Sequence, residues 1–401
     1  MEEWKEYKLG DLYDVHNGLS KGGKFFGSGY PFLSFKTVFN NYFLPPVLPD
    51  LVQSDEKEQG GYDINRGDVF VTRTSETPEE LGMSSVALKD YPFATYNGFT
   101  KRLRPKDTSI IYPEFIGYYL RSTKFRALFY GLASSMSTRA SLANGDLLGM
   151  KVFLPTFSTQ EKIASILKSL DDKIEVNRKI NENLEQQAQA LFKSWFVDFE
   201  PFKNGEFIES ELGRIPKGWR VGKLFDVAEI FDKIRKPLSG RDRENMDKIY
   251  PYYGATSCMD YVDNYLFDGV YTLIGEDGSV VKEDGLPYMQ YVWGKFWVNN
   301  HAHILQGKNG FSTEMIHVFL SMTNIQHLVT GAVQAKLSQV NMQKITLPIP
   351  PKEVVDEVRQ SIDIIYENKR VLEDESRRLA ELRDTLLPKL MSGELKVNEI
   401  A

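Results

Sequence analysis

The 401-residue sequence predicts an α+β protein built as a tandem repeat. Two strand-rich globular blocks are each followed by a long α-helix, and the two helices pair as an antiparallel coiled coil. Three observations predict this. A junction of strand end, turn and helix start occurs twice, as KVFLPTFSTQEKIASIL (151–167) and KITLPIPPKEVVDEV (344–358). Shorter matches run through the rest of the chain in the same order. After each junction comes a helical stripe with a seven-residue ladder.

In chain order, residues 1–155 form the first globular block, 156–200 a helical stretch, 201–350 the second block and 351–401 a second helical stretch. WKEYKLGDLYDV (4–15) parallels WRVGKLFDVAEI (219–230), with Trp4 on Trp219 and Lys8-Leu9 on Lys223-Leu224. YPFLSFKTV (30–38) parallels YPYYGATSC (250–258), GDVFVTRT (67–74) resembles DGVYTLIG (268–275), and EFIGYYL (114–120) parallels EMIHVFL (314–320). The period is too long for a solenoid and indicates a duplicated module. Alternating apolar runs such as GDVFVTR, GVYTLIG and KFWVNNHAHIL, broken by Gly-rich loops, predict twisted sheets with few helices.

Pro155 followed by Ser158 and Glu161 predicts a capping box that opens the first helix. Its ladder runs through Ile163, Leu170, Asn177, Leu184 and Leu191, and that of the second helix through Val358, Ile365, Leu372, Leu379 and Leu386. Two such helices, one per repeat, bury their stripes most simply against each other, and Asn177 in the seam is suited to fixing register.

Composition narrows the function classes. An apolar share of 42% and a charged share of 26% belong to an ordinary globular protein. No apolar run is long enough to span a membrane, and the acidic start is unlike a signal peptide. The lone Cys258 cannot form an intramolecular disulfide, which fits a cytoplasmic location. The net charge of −6 is unevenly spread: residues 156–200 carry 6 Lys+Arg against 8 Asp+Glu, and 351–401 carry 9 against 12. The globular blocks are thus close to neutral and free to present a basic face locally.

Catalytic signatures are missing. There is no G-x-x-x-x-G-K-[ST] loop for a nucleotide-driven motor. GGKFFGSG (22–29) lacks dinucleotide-binding spacing and reads as a surface loop. The sequence has no Asn- or Asp-Pro-Pro-aromatic motif of an amino-methyltransferase. Asp50 with Asp55-Glu56-Lys57 imitates a nuclease carboxylate pattern but is compressed into one polar loop. His301 and His303 share one face of a strand, yet no third ligand stands at a recognisable spacing, so neither a metal site nor a catalytic residue is expected.

Two divergent aromatic-rich domains, each ending in a strand-LP-helix junction, resemble the specificity subunits of type I restriction-modification systems. LRDTLLPKLMSGEL (382–395) is similar to that family's C-terminal signature, and LFKSWFVDFEPF (191–202) to its central one. The resemblance implies a non-catalytic subunit with two target recognition domains that read a split, asymmetric site in double-stranded DNA. It further implies two methyltransferase subunits and, in the full complex, two restriction subunits as partners, with S-adenosylmethionine, ATP and Mg in those partners and no cofactor in this chain. A recognition subunit of a different restriction or methylation system, or a coiled-coil scaffold that does not bind DNA, are the alternatives.

Within each domain, DNA contacts are expected from loops that place basic and hydroxyl side chains near aromatics. In the first these are Lys21, Lys24, Lys36, Arg73, Ser75 and Arg139. In the second, DKIRKPLSGRDR (232–243) offers Lys233, Arg235, Lys236, Arg241 and Arg243, joined by Lys336 from the loop before the second junction.

Overall fold

The computed structural model describes residues 4–75, 80–134, 140–331 and 334–397. The chain divides into two compact units, Met1–Val176 with Glu375–Ala401, and Asn177–Asp374. The four sequence stretches are therefore regrouped, because each unit takes one globular block, the start of one long helix and the end of the other. No helix of the described residues is long and apolar enough to cross a membrane.

In the first unit a four-stranded antiparallel sheet has the order Tyr13–Asn17, Thr100–Pro105, Val69–Thr72, Ser84–Val86. A three-stranded sheet beside it is centred on Phe26–Leu33, which pairs in parallel with Thr95–Tyr96. A small antiparallel pair, Lys5–Lys8 with Lys151–Leu154, leads into the central helix.

The second unit repeats this plan with one sheet of six strands. The order is Ala228–Ile230, Ala302–Gly307, Phe267–Gly275, Met289–Val298, Tyr250–Tyr253, Cys258–Val262. Met289–Val298 spans what the first unit divides between Ser84–Val86 and Thr95–Tyr96. The intervening ALKDYPFA of the first unit cannot continue a ladder, since Pro92 lacks an N–H and Phe93 takes a left-handed φ of 63°.

The central helix spans Phe157–Phe196 and the C-terminal helix Lys352–Ser392, 40 and 41 residues or about 60 Å each. They run antiparallel. In the first unit, Lys173 pairs with Glu375 at 3.2 Å and Asp171 with Arg383 at 2.7 Å. In the second, the Asn177 amide donates to the Leu372 carbonyl and the Asn181 amide to the Lys369 carbonyl, both at 3.4 Å. Ile163, Ala164 and Leu167 join Leu387, Leu390 and Met391 in the first core, and Ala188, Phe192 and Phe196 join Val355, Val358 and Ile362 in the second.

The seven-residue ladders lie on the seam without being its most buried line. Ile163, Asn177 and Val358 are buried, whereas Leu170, Leu184, Leu191, Ile365, Leu372, Leu379 and Leu386 are half-buried. Full burial falls four residues on, at Leu167, Asn181, Ala188, Ile362 and Leu390, the second apolar line of a heptad.

Two local expectations need correction. The central helix starts before Ser158, so its cap is Thr156, whose hydroxyl accepts from the Thr159 N–H at 3.3 Å. The second junction is also displaced by two residues. Lys5 faces Leu154 and Arg220 faces Ile349, so Leu154-Pro155 corresponds to Ile349-Pro350 rather than to Leu347-Pro348. A two-residue slip keeps every side chain on its face, and the apolar pattern does not reveal it.

Candidate nucleic-acid interface

Shared backbone hydrogen bonds identify one equivalent place in each domain. In the first, the Arg73 N–H donates to the Phe99 carbonyl and the Leu142 N–H to the Arg73 carbonyl. In the second, the Glu276 N–H donates to the His301 carbonyl and the Leu337 N–H to the Glu276 carbonyl. Lys101 faces Asn17 across the antiparallel ladder, and the same register continued past Ile230 sets His303 opposite Asp232. Asn144 and Gln339 each open the short helix that follows.

The chemistry at these matched positions is opposite. In the second domain the Arg235 guanidinium reaches Glu276 at 2.6 Å and Asp232 at 3.3 Å, and the Lys336 ammonium lies 3.4 Å from Glu276. His303 lies with Nδ1 against Asp232 and Nε2 against the Leu337 carbonyl, each at 2.6 Å, and the Gln339 amide donates to Asp232. Burial pushes the Asp232 carboxyl up, but His303 and Arg235 outweigh this and hold it below the usual carboxylate value. Asp232, Glu276 and His303 lie close enough to suggest a metal site, but both His303 nitrogens are engaged and a guanidinium already sits on the two carboxylates. This is an ion network internal to the domain. His301 is separately bound to Asp277.

In the first domain the same place holds Arg73 and Lys101 with Asn17 and Asn144. Lys101 is 4% exposed and its ammonium donates to the Asn144 side-chain oxygen. Among the described residues the Arg73 guanidinium reaches a carbonyl, that of Gly98, at 3.5 Å. Among the described residues neither cation has a carboxylate partner. Burial, with Arg73 nearby, lowers the Lys101 pKa. Phe99, directly beside Arg73 in the chain pairing, is 62% exposed.

The other expected contact residues divide by availability. Lys24, Lys36, Lys233, Lys236 and Arg241 are exposed. Lys21 is held by Glu58 at 2.6 Å and by the Gln53 carbonyl. Arg243 folds over the Tyr252 ring and bonds Asp260 at 2.5 Å, and Arg235 and Lys336 belong to the ion network. For these four, an ion partner within the domain opposes their use on a ligand. The backbone of Ser75 pairs with Ala140, and Arg139 lies outside the described residues. Lys336 faces Asp277 as Ser141 faces Thr74.

Sequence reasoning missed Lys101, Phe99 and Asn144. TKRLRP reads as an ordinary strand, and only an aromatic directly after the Asn97-Gly98 turn hinted at a displayed ring. Arg102 and Arg104 of that strand are committed to Asp63 and Asp68.

Comparison with known proteins adds to this geometry. The family model described as type I restriction modification DNA specificity domain matches residues 1–186 and 216–366. The type I restriction enzyme MjaIX specificity subunit of Methanocaldococcus jannaschii is 27% identical, over 100% of this chain and 95% of its own. The HindI specificity subunit of Haemophilus influenzae is 26% identical, over 98% and 100% respectively. In fold, the chain is similar to the crystal structure of a type I restriction-modification S subunit from M. genitalium, with a TM-score of 0.58, 15% identity, and coverage of 97% of this chain and 96% of that one.

Proposed function

We propose, from the premise that the chain belongs to the type I restriction-modification DNA specificity family, that it is the non-catalytic reader of such a complex. Each domain recognises one half of a split, asymmetric site in double-stranded DNA. The observation that carries this reading is the pair of matched places just described. One backbone framework is built twice, and at the same hydrogen-bonded position one copy presents two cations and the other a closed ion network. A scaffold repeated for structural reasons alone has no need of that divergence, whereas two readers of different sequences do.

The long helices supply the mounting for partner subunits. The stretches that contain them, 156–200 and 351–401, hold most of the excess acidic charge, which suits protein partners better than phosphates. In the first unit an apolar pocket lined by Phe125, Leu128, Phe153, Pro388 and Met391 adjoins the end of the C-terminal helix, a surface suited to a protein contact. On this reading two methyltransferase subunits dock to the chain, two restriction subunits join in the full complex, and S-adenosylmethionine, ATP and Mg enter with those partners.

The test is modular exchange. Replacing residues 1–155 by the matching block of another specificity subunit, followed by methylome sequencing, is expected to change one half-site and leave the other intact. Simultaneous change of both half-sites rules out the two-reader arrangement. Methyl transfer by the purified chain alone rules out its non-catalytic role.

A further inference from the structure

We infer that Arg73, with Lys101 behind it and Phe99 beside it, forms a phosphodiester-binding seat in the first recognition domain, and that the second domain has closed the same place to DNA. The inference rests on the DNA-reading function proposed above and assigns one contact within it.

The argument begins with the cost of the arrangement. A buried ammonium is stable when a counter-charge or several acceptors replace its water. Among the described residues the Lys101 ammonium has one neutral amide oxygen, from Asn144, and the guanidinium of Arg73 is close enough to oppose its charge. The second domain shows how this framework compensates such a place when it is purely structural. There Glu276 stands at the position of Arg73, Asp232 at that of Asn17 and His303 at that of Lys101, and Arg235 and Lys336 complete the balance. The first domain replaces both carboxylates and adds no other among the described residues. An uncompensated pair of cations next to an exposed ring requires an anion from outside. A phosphodiester fits, since a guanidinium offers it a forked pair of donors and the ring covers the adjoining sugar. Arg73 is the contacting group. Lys101 is a positioning residue: held by Asn144, its charge raises the local potential at Arg73.

Phosphate contact has a signature separate from stability, because each phosphate neutralised on B-DNA contributes about 0.9 to the slope of log K against log salt. The experiment measures binding of the full chain to a duplex of random sequence between 50 and 200 mM salt. Arg73→Gln is expected to lower that slope by about 0.9, so that its deficit against the unsubstituted chain shrinks about 3.5-fold across the range. Lys101→Met shifts it in the same direction by less, and Arg73→Lys restores it, showing that the charge and not the fold is responsible. Glu276→Gln lowers the melting temperature and leaves the slope unchanged, because the second domain's site is already filled from within.

If the unsubstituted chain shows a salt slope and Arg73→Gln retains it in full, the seat is disproved while the DNA-reading function stands. If the unsubstituted chain does not bind DNA, both fall. If Arg73→Gln instead loses its methyltransferase partner with an unchanged slope, the cations serve a protein contact and the inference is overturned.

Discussion

Glu114 and Glu314 occupy the same position in the two domains, both buried at the start of matching helices, yet each is neutralised from a different direction. Arg66, from a loop of the same globular block, reaches Glu114 at 3.0 Å. Glu314 is met by Arg370 of the C-terminal helix at 2.6 Å and by the Tyr291 hydroxyl at 2.7 Å. Duplication thus preserved the need for a partner without preserving its source. In the first domain that pairing stays within the block, and in the second it fastens the block to its helix.

The largest effect should come from cutting that fastening. Arg370→Met leaves a carboxylate buried against Tyr291 and is expected to cost about 3–5 kcal/mol in urea denaturation. Arg66→Met should cost about 1 kcal/mol, because the Arg66 side chain is 47% exposed and water can take its place. Equal losses would show that the two carboxylates are held in the same way.

A second contrast sharpens with pH. Gly117 of the first domain has no side chain, and a Cβ there would lie 2.3 Å from the Phe43 ring. Its counterpart His317 is buried beside Tyr291 and Tyr366, with Thr272 at 3.1 Å from Nδ1. Burial, aided by the Lys369 charge, pushes the His317 pKa down from 6.5 to about 3. The unfolded chain therefore takes up a proton below pH 6.5 that the folded domain refuses. The stabilisation is complete above that pH and declines as pH falls from 6.5 toward 3, by about 1.4 kcal/mol per unit. Unfolding of the second unit followed between pH 7 and 4.5 should show this slope, and His317→Gln should remove one proton's share of it. An unchanged slope in that variant would place the titration elsewhere.

The smallest effect concerns the seam itself. In the second unit Asn177 and Asn181 are polar and buried where the helix pairing further along is apolar, at Ala188 and Ile362. Asn181→Leu is expected to raise stability by about 1 kcal/mol, read from the denaturation midpoint, because polar groups in such seams favour one register over maximal stability. A loss of stability would mean that the amide contact with Lys369 holds the helices together.

The sequence was most legible where a single residue type is required. Trp4 and Trp219, Leu9 and Leu224, and Glu114 and Glu314 stand at matching places, and the N–H groups of Leu9 and Leu224 donate to corresponding carbonyls, of Met150 and Ile345. Legibility failed at strand register, where a shift of two residues preserves the apolar pattern. It failed more often for charge. Lys233, Arg235, Lys236, Arg241 and Arg243 are alike as letters, but Arg235 and Arg243 fold back on Glu276 and Asp260, which are distant in sequence. Lys101 carries the converse lesson, since nothing in a strand whose charged residues are all cations distinguishes a lysine that lacks a carboxylate among the described residues from its paired neighbours Arg102 and Arg104.

The division of the chain has a consequence for the order of folding. The second unit is one continuous segment, Asn177–Asp374, and has all of its core residues as soon as that segment leaves the ribosome. The first unit is discontinuous. Its core needs Leu387, Leu390 and Met391 beside Ile163 and Leu167, and Trp4 lies against Gly393. The domain that is translated first can therefore close its core only after the later one has been made, and until then its apolar surface at Ile163 and Leu167 stays open to solvent and to chaperones.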